Sequence, residues 1–394
     1  MPKPIPNLAT SSTQVDLRWT MFALYVAATV VFSDMYLTQP ILPLLAEEFQ
    51  VTASTAGLTI SAVVVMIALG STAYGPLSDM IGRKSVMVAT CALLSLPTML
   101  GAFATSFEQM LFFRALQGLC IPGLTAVAVA YLGDLVGPVA LGKVVGGWVA
   151  ANVAGGLVGR VASGIITDLA GWREVFVIFA LLTMVSALLL AFLLPEDRVR
   201  ESGGWGQAYR AMFAHINNPQ LFSAFMIGGA LFFGFIGTFT FLPFYLTGEP
   251  FLLSTTMVAF AYVSYLAGVL VSPIAGSLSN RISRRTLITL GLLIAMLGLS
   301  LTLIPVLPLI AVSLFILCTG MFTAQAIAPA LVNTLAKQAK GGAGALYLVF
   351  YYIGGTLGAV VPGLAWQAFG WIGVVATCLA AFGVALIANW RIKI

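Results

Sequence analysis

The sequence is short of charge. Only 8% of its 394 residues are Asp, Glu, Lys or Arg, against about a quarter in a soluble domain. Water cannot solvate a surface so poor in ions, which excludes a globular aqueous domain of this size. Histidine is nearly absent: His215 is the single copy, and it lies in a polar stretch where it reads as solvated. Cysteine is scarce too. Cys91, Cys120, Cys318 and Cys378 all sit inside apolar runs without metal-ligand spacing, and read as small core residues. HExxH and GxSxG are missing. Gly137–Lys143 approximates a phosphate-binding loop. Val144 stands where a Ser or Thr would hold magnesium, though, and no strand precedes it. Neither an enzyme, a cofactor nor ATP is indicated.

Apolar residues make up 60% of the chain. Roughly 20 of them in a helix cross a bilayer core. Twelve such spans account for nearly the whole length, at 18–40, 54–74, 85–104, 109–131, 143–166 and 173–194, then 220–244, 254–276, 286–304, 308–331, 343–366 and 370–390. The fold class is all-α integral membrane. The first 19 residues form a polar tail without a signal-peptide apolar core and cleavage site, so the run from Arg18 to Pro40 is expected to stay as a helix. With the N-terminus in the cytoplasm, of 18 basic residues only Arg173 falls outside and only Arg114 and Arg160 within spans. The positive-inside rule then puts both termini in the cytoplasm of a multi-pass inner-membrane protein. The basic residues are spread over the inner loops rather than gathered in a patch, so no nucleic-acid partner is called for.

The chain repeats itself. Residues 75–84 read GPLSDMIGRK and residues 276–285 read GSLSNRISRR. Residues 155–172, GGLVGRVASGIITDLAGW, match residues 354–371, GGTLGAVVPGLAWQAFGW, in their glycines and final tryptophan. Parallel six-helix repeats build one large group of secondary transporters. The division read here is a tail at 1–17, a six-helix bundle at 18–194, a polar linker at 195–218 and a second bundle at 219–394.

The 75–84 segment resembles the loop 2–3 signature of the major facilitator superfamily, and Arg114-Ala115-Leu116-Gln117-Gly118 resembles its fourth-span signature. The resemblance covers the whole chain and lies nearest the twelve-helix drug:proton antiporter and sugar-efflux-like branch. It implies a pseudo-symmetric pair of bundles and a latch. Gly75 allows close helix approach and Gly82 a tight turn. By this resemblance Asp79 faces the start of the eleventh helix, at Gly341–Gly344, and Arg83 pairs with Asp134, holding the halves in an outward-open state. The second copy carries Asn280 for Asp79 and Ser283 for Gly82, so its latch is expected to be weaker or absent. The fifth-span antiporter signature is also altered: Gly159-Arg160 stands without the usual proline.

Asp34, Arg114 and Arg160 lie within spans, roughly 9–12 Å below the outer surface at 1.5 Å per residue. Such charges need partners or water, so all three are expected to face the interior of the N-terminal half, with Asp34 neutralising one arginine. Asp34 and Arg114 are the proton-coupling candidates. Small residues at spacing four (Gly147, Ala151, Gly155, Gly159 and Ser163) allow close packing of the fifth span. Solute-binding candidates are Arg160, Gln117, Asn152, Gln325, Tyr262, Tyr265 and Tyr351. A cavity apolar on one side and charged on the other suits amphiphilic solutes.

The expectation is a monomeric secondary transporter whose partners are the lipid bilayer, a small-molecule substrate and protons. It would export small organic solutes by alternating access, driven by the proton gradient. Import or uniport of an organic anion or sugar-type metabolite is the alternative, and a non-transporting receptor or scaffold is the alternative from another class.

Overall fold

The computed structural model describes residues 17–136, 138–197, 215–336 and 340–392. The N-terminal tail and most of the polar linker lie outside them. Helix dominates and no strand occurs among the described residues. In hydrocarbon each backbone N–H and C=O must bond within its own segment, and a helix achieves this. The spans are α1 (Leu17–Tyr36), α2 (Ala53–Ile81), α3 (Arg83–Gly101), α4 (Phe107–Leu135), α5 (Pro138–Ala170) and α6 (Trp172–Leu193). A second set follows: α7 (Pro219–Thr247), α8 (Thr255–Leu278), α9 (Arg284–Leu301) and α10 (Leu307–Leu335). The last apolar segment, Gly341–Arg391, has 51 residues, about 76 Å of helix at 1.5 Å per residue and too long for one crossing. It reverses at Gly370, where φ is 57° and ψ −142°, giving α11 (341–369) and α12 (371–391).

Three hairpins turn on one glycine each. Gly82 (φ 93°) joins α2 to α3, Gly171 (φ 115°) joins α5 to α6, and Gly370 joins α11 to α12. A side chain at positive φ meets its own backbone, so glycine suits these turns. Other spans start on a polar cap. The side chains of Thr52, Ser106, Asn218, Ser254 and Ser283 accept the first free N–H groups.

Several helices run further than hydropathy alone suggests. α2 continues to Ile81 rather than stopping near 74, and α4 reaches Leu135 rather than 131, because helix-forming residues carry on past the apolar window. α4 is interrupted around Ile121 and Ala126, where Pro122 supplies no N–H. α8 tightens to a 3-10 turn over Ala261–Tyr265.

Within the N-terminal half α1 packs on α5, α2 on α4 and α3 on α6. The C-terminal half shares two of these pairings, α7 on α11 and α8 on α10, while α9 packs chiefly on α10 and less on α12. The sequence repeats fall on equivalent seams. A Cβ on Gly155 would sit 2.3 Å from the Thr29 carbonyl oxygen, and one on Gly354 would sit 1.9 Å from that of Gly229. The α1–α5 seam is also hydrogen-bonded. Tyr25, Thr29 and Ser33, four residues apart on one face of α1, donate to the carbonyls of Val144 (2.9 Å), Ala151 (3.2 Å) and Gly155 (2.9 Å). Outward-facing Leu69, Phe103, Phe192, Leu270 and Phe369 are exposed, which fits contact with acyl chains.

The halves meet toward one end. Ser54 donates to Val360 (3.2 Å), Ser61 to Thr356 (2.7 Å) and Gln39 to Thr240 (3.2 Å), while Thr256 N–H donates to Asp168 (2.8 Å). All of these lie in the membrane half carrying Glu48, Asp168 and Arg173, here called the far end. At the opposite, basic end, a Cβ on Gly75, Gly142, Gly146, Gly276, Gly341 or Gly344 would meet nothing within 4 Å. The bundles are closed at the far end and parted at the basic end.

Two outcomes follow. Gly155→Leu drives a side chain into the α1 backbone, an overpacking worth about 1–3 kcal/mol or more. It should lower the melting temperature in detergent and broaden the gel-filtration peak, whereas Gly142→Leu should leave both unchanged. The second concerns Glu48, outside the spans, which binds Arg173 at 2.6 Å and accepts the Trp172 indole N–H. Burial pushes its carboxyl up, but the bonds from Arg173 and Trp172 and the Arg173 charge outweigh this and hold it below its ordinary 4.5. A lowered folded pKa contributes stability above the unfolded value of about 4.3, and the contribution is lost as pH falls through the folded value. Glu48 is 37% exposed, so screening limits the effect to less than about 1 kcal/mol. Glu48→Gln should flatten the fall in melting temperature between about pH 5 and pH 3.

Candidate functional site

α1 ends at Tyr36, inside the protein, and leaves its last carbonyls without helical donors. Arg114 supplies them. Its Nη1 donates to the Asp34 carbonyl (3.0 Å) and its Nη2 to the Met35 carbonyl (2.7 Å). Nε donates to the Thr59 carbonyl of α2 (3.2 Å), and Nη1 also reaches Gln117 Oε1 (2.6 Å). The positive guanidinium lies against the negative end of the helix dipole. Arg114 and Asp34 are both 0% exposed.

The Asp34 carboxylate is not in contact with that guanidinium. Oδ2 accepts from the Thr98 hydroxyl of α3 (2.9 Å), while Oδ1 is buried without a hydrogen-bond partner. Asp34 therefore faces the Arg114 charge without bonding to it: the fork of Arg114 is taken up by backbone oxygens and Gln117. The groups are linked through side chains instead. Gln117 Nε2 donates to Thr98 Oγ (3.0 Å), completing a chain from Arg114 through Gln117 and Thr98 to Asp34. The Thr98 hydroxyl also lies 2.8 Å from the Leu94 carbonyl.

Arg160, 1% exposed, does not face the N-terminal interior as expected. Its helix places it at the seam between the halves. Nε donates to Gln39 Oε1 (2.7 Å) and Nη1 to the Gly156 carbonyl, while Nη2 is buried without a partner. The guanidinium carbon lies 3.9 Å from the Tyr36 ring centre, 4.9 Å from that of Tyr265 and 5.1 Å from that of Tyr262. These π faces stabilise a cation, and two of them belong to the other half. No carboxylate among the described residues pairs with Arg160.

Between the halves lies a cavity of about 300 Å³. Phe32, Tyr36 and Ile67 line it from one side, and Phe232, Gln325 and Tyr351 from the other. Gln325 donates to the Tyr351 hydroxyl (2.7 Å), whose ring stacks on Phe232 at 3.9 Å. The lining holds no charged side chain. Asn152 is not among it, and its Oδ1 is buried without a partner.

At the basic end Arg83 binds Asp79 (3.3 Å), Asp134 and the Ala130 carbonyl (2.6 Å). Asp197, beyond α6, accepts the N–H groups of Arg83 (2.6 Å) and Lys84 (3.1 Å) and so caps α3. Every one of these contacts lies within the N-terminal half or joins it to the start of the linker, and none reaches the C-terminal half. Among the described residues Asp79 makes no contact with the α11 start, because the halves are parted at this end. In the second copy Arg284 reaches Thr334 and the Ala330 carbonyl (3.4 Å), a neutral hydroxyl standing where Asp134 has its charge.

Sequence reasoning missed Thr98, Gln39 and Tyr36. Thr98 carries a signal, being a hydroxyl in an apolar span at the depth of Asp34. Gln39 and Tyr36 carry none, since their role depends on where α1 stops.

These features have counterparts in known proteins. The profile described as Major Facilitator Superfamily matches residues 24–268, more than half of the chain. The inner membrane transport protein YnfM of Escherichia coli (strain K12) is 33% identical over 372 residues, 94% of this chain and 89% of that one. An uncharacterized transporter of Buchnera aphidicola subsp. Schizaphis graminum is 30% identical over 391 residues, 99% of this chain and 95% of the other. Among solved structures, a mutant of the nucleoside transporter NupG superposes with a TM-score of 0.80 at 15% identity, over 95% of this chain and all of that one (100%). An inward-facing, unoccupied bacterial homolog of the human lysosomal transporter Spinster gives 0.75 at 16% identity, covering 97% and 95%. The structural likenesses speak for the fold and the sequence matches for the family: this chain belongs to the Major Facilitator Superfamily of membrane transporters.

Proposed function

We propose that the protein exports small amphiphilic organic solutes across the inner membrane in exchange for protons, in the manner of the drug:proton antiporter branch. The observation that carries this reading is the bonding of Asp34. A carboxylate sealed from solvent, with one oxygen on a hydroxyl and the other without a partner, keeps its Thr98 bond in either protonation state. When ionised, it accepts from Thr98. When protonated, it donates to Thr98 Oγ, and the hydroxyl turns its own proton to the Leu94 carbonyl. A hydroxyl has one donor and two acceptor sites, so Gln117 keeps its bond throughout. Arg114 stays on the backbone in both states and supplies a fixed positive field.

The basic residues of the loops support a cytoplasmic location for the basic end. On that orientation the structure is open inward and closed outward, with the 300 Å³ cavity between the bundles. Rocking about this cavity would close the basic end and open the far end. Closure would bring the α2–α3 turn, with Asp79 and Gly75, toward Gly341–Gly344 of α11. Arg83 and Asp134 would keep that turn in shape.

The test is solute flux in proteoliposomes under an imposed pH gradient. The wild type should move solute against protons. Asp34→Asn should retain solute exchange at equal pH and lose the gradient-driven component by about tenfold or more. Gradient-driven flux that survives in Asp34→Asn would remove Asp34 from the coupling role.

A further inference from the structure

Arg160 is a buried cation without an acidic partner among the described residues. Its Nη2 is left without an acceptor. A guanidinium offers five N–H donors in a planar fork made for two oxygens. Here the fork is only partly used, on Gln39 and the Gly156 carbonyl. Rings cover the rest, and a π face attracts a cation less strongly than a carboxylate at hydrogen-bond distance.

Tyr36 does two things at once. Its ring lies 3.9 Å from the guanidinium carbon, and it also lines the central cavity. One side chain therefore divides an uncharged, aromatic-walled cavity from a guanidinium that lacks an anion. Turning that ring aside joins the two compartments. The combined space has an apolar body, walled by Phe32, Phe232 and Tyr351, and a cationic end.

We propose that this combined space is the recognition site for an amphiphilic carboxylate: its apolar or aromatic body fills the cavity, its carboxylate displaces the Tyr36 ring, and both oxygens bond to the Arg160 fork. The proposal rests on the transport reading above, taking the cavity as the solute site, and it narrows the solute class to monoanions. Tyr36, Tyr262 and Tyr265 hold the guanidinium in the meantime. Only Tyr36 is displaced by the solute, while Tyr262 and Tyr265 stay in place, and together the rings spare the empty carrier a bare buried charge.

The test is calorimetric titration of the purified full chain in detergent at pH 7.5. The probes are 2-naphthoate and its neutral isostere 2-naphthamide. The wild type should bind naphthoate at least about tenfold more tightly, since a charge-assisted bidentate contact is at stake. Arg160→Gln should erase the preference between the two probes. Tyr36→Ala, which removes the partition, should tighten naphthoate binding more than naphthamide binding; a purely structural Arg160 would give no such gain. Equal binding of the two probes, a preference that persists in Arg160→Gln, no change or weakening in Tyr36→Ala, or no binding of either probe overturns the proposal. Tyr36→Ala decides the matter even if Arg160→Gln fails to fold. Asp34→Asn separates the two readings: it should keep the naphthoate preference, so loss of proton coupling with selectivity intact counts against neither the site nor its ligand class.

Discussion

A helix that stops within a membrane protein leaves carbonyl oxygens that no lipid can satisfy, and at the end of α1 that demand falls on Arg114. Bonds to the Asp34 and Met35 carbonyls fix where α1 terminates. The termination in turn fixes Asp34 against Thr98, Tyr36 over Arg160, and Gln39 between Arg160 and Thr240. An arginine that neutralised Asp34 directly would leave the helix end unanswered and lock the carboxylate in one charge state. With the guanidinium on backbone, the carboxylate keeps only its bond to Thr98.

The two halves share a plan but solve it with different chemistry. The α1–α5 seam is knit by hydroxyls donating to carbonyls, which fixes direction and distance. The corresponding α7–α11 seam brings glycines against backbone and rings, with Gly228 against Tyr347 and Gly355 against Phe232. All three intramembrane charges belong to the first half, whereas the second contributes rings and the Gln325 amide to the cavity. The buried charges thus sit in one bundle, while both bundles line the cavity, and Arg160 lies where rings of the two halves meet.

Most of the architecture was legible in the sequence, because the constraint that shapes it is one-dimensional. A run of apolar residues long enough to cross hydrocarbon has one practical conformation, and repeated glycines mark equal seams in both halves. Gly155 and Gly354 read alike and pack alike. The site was legible only in part. Asp34, Arg114 and Arg160 stand out because charge in an apolar run is unusual, and the fourth-span motif brought Gln117 with them. Their partners did not stand out. Whether Arg114 meets a carboxylate or a carbonyl depends on the residue at which α1 stops, and no periodicity encodes that. Arg160 has the same spacing and depth as a residue facing its own bundle. Its actual direction follows from the rotation of α5 about its axis, set by the close contacts of Gly155 and Gly159 with α1.

The one-residue turns at Gly82, Gly171 and Gly370 have a mechanical meaning. A link of a single residue has no slack, so neither member of such a pair can slide along the other by even one helical step. α2 with α3, α5 with α6, and α11 with α12 are each held in register at one end by such a joint. α2, α5 and α11 line the seam between the bundles, while α3, α6 and α12 stand behind them. A tilt of an inner arm therefore has one joint, its glycine, at which it is either absorbed or handed on to the outer arm that faces the lipid.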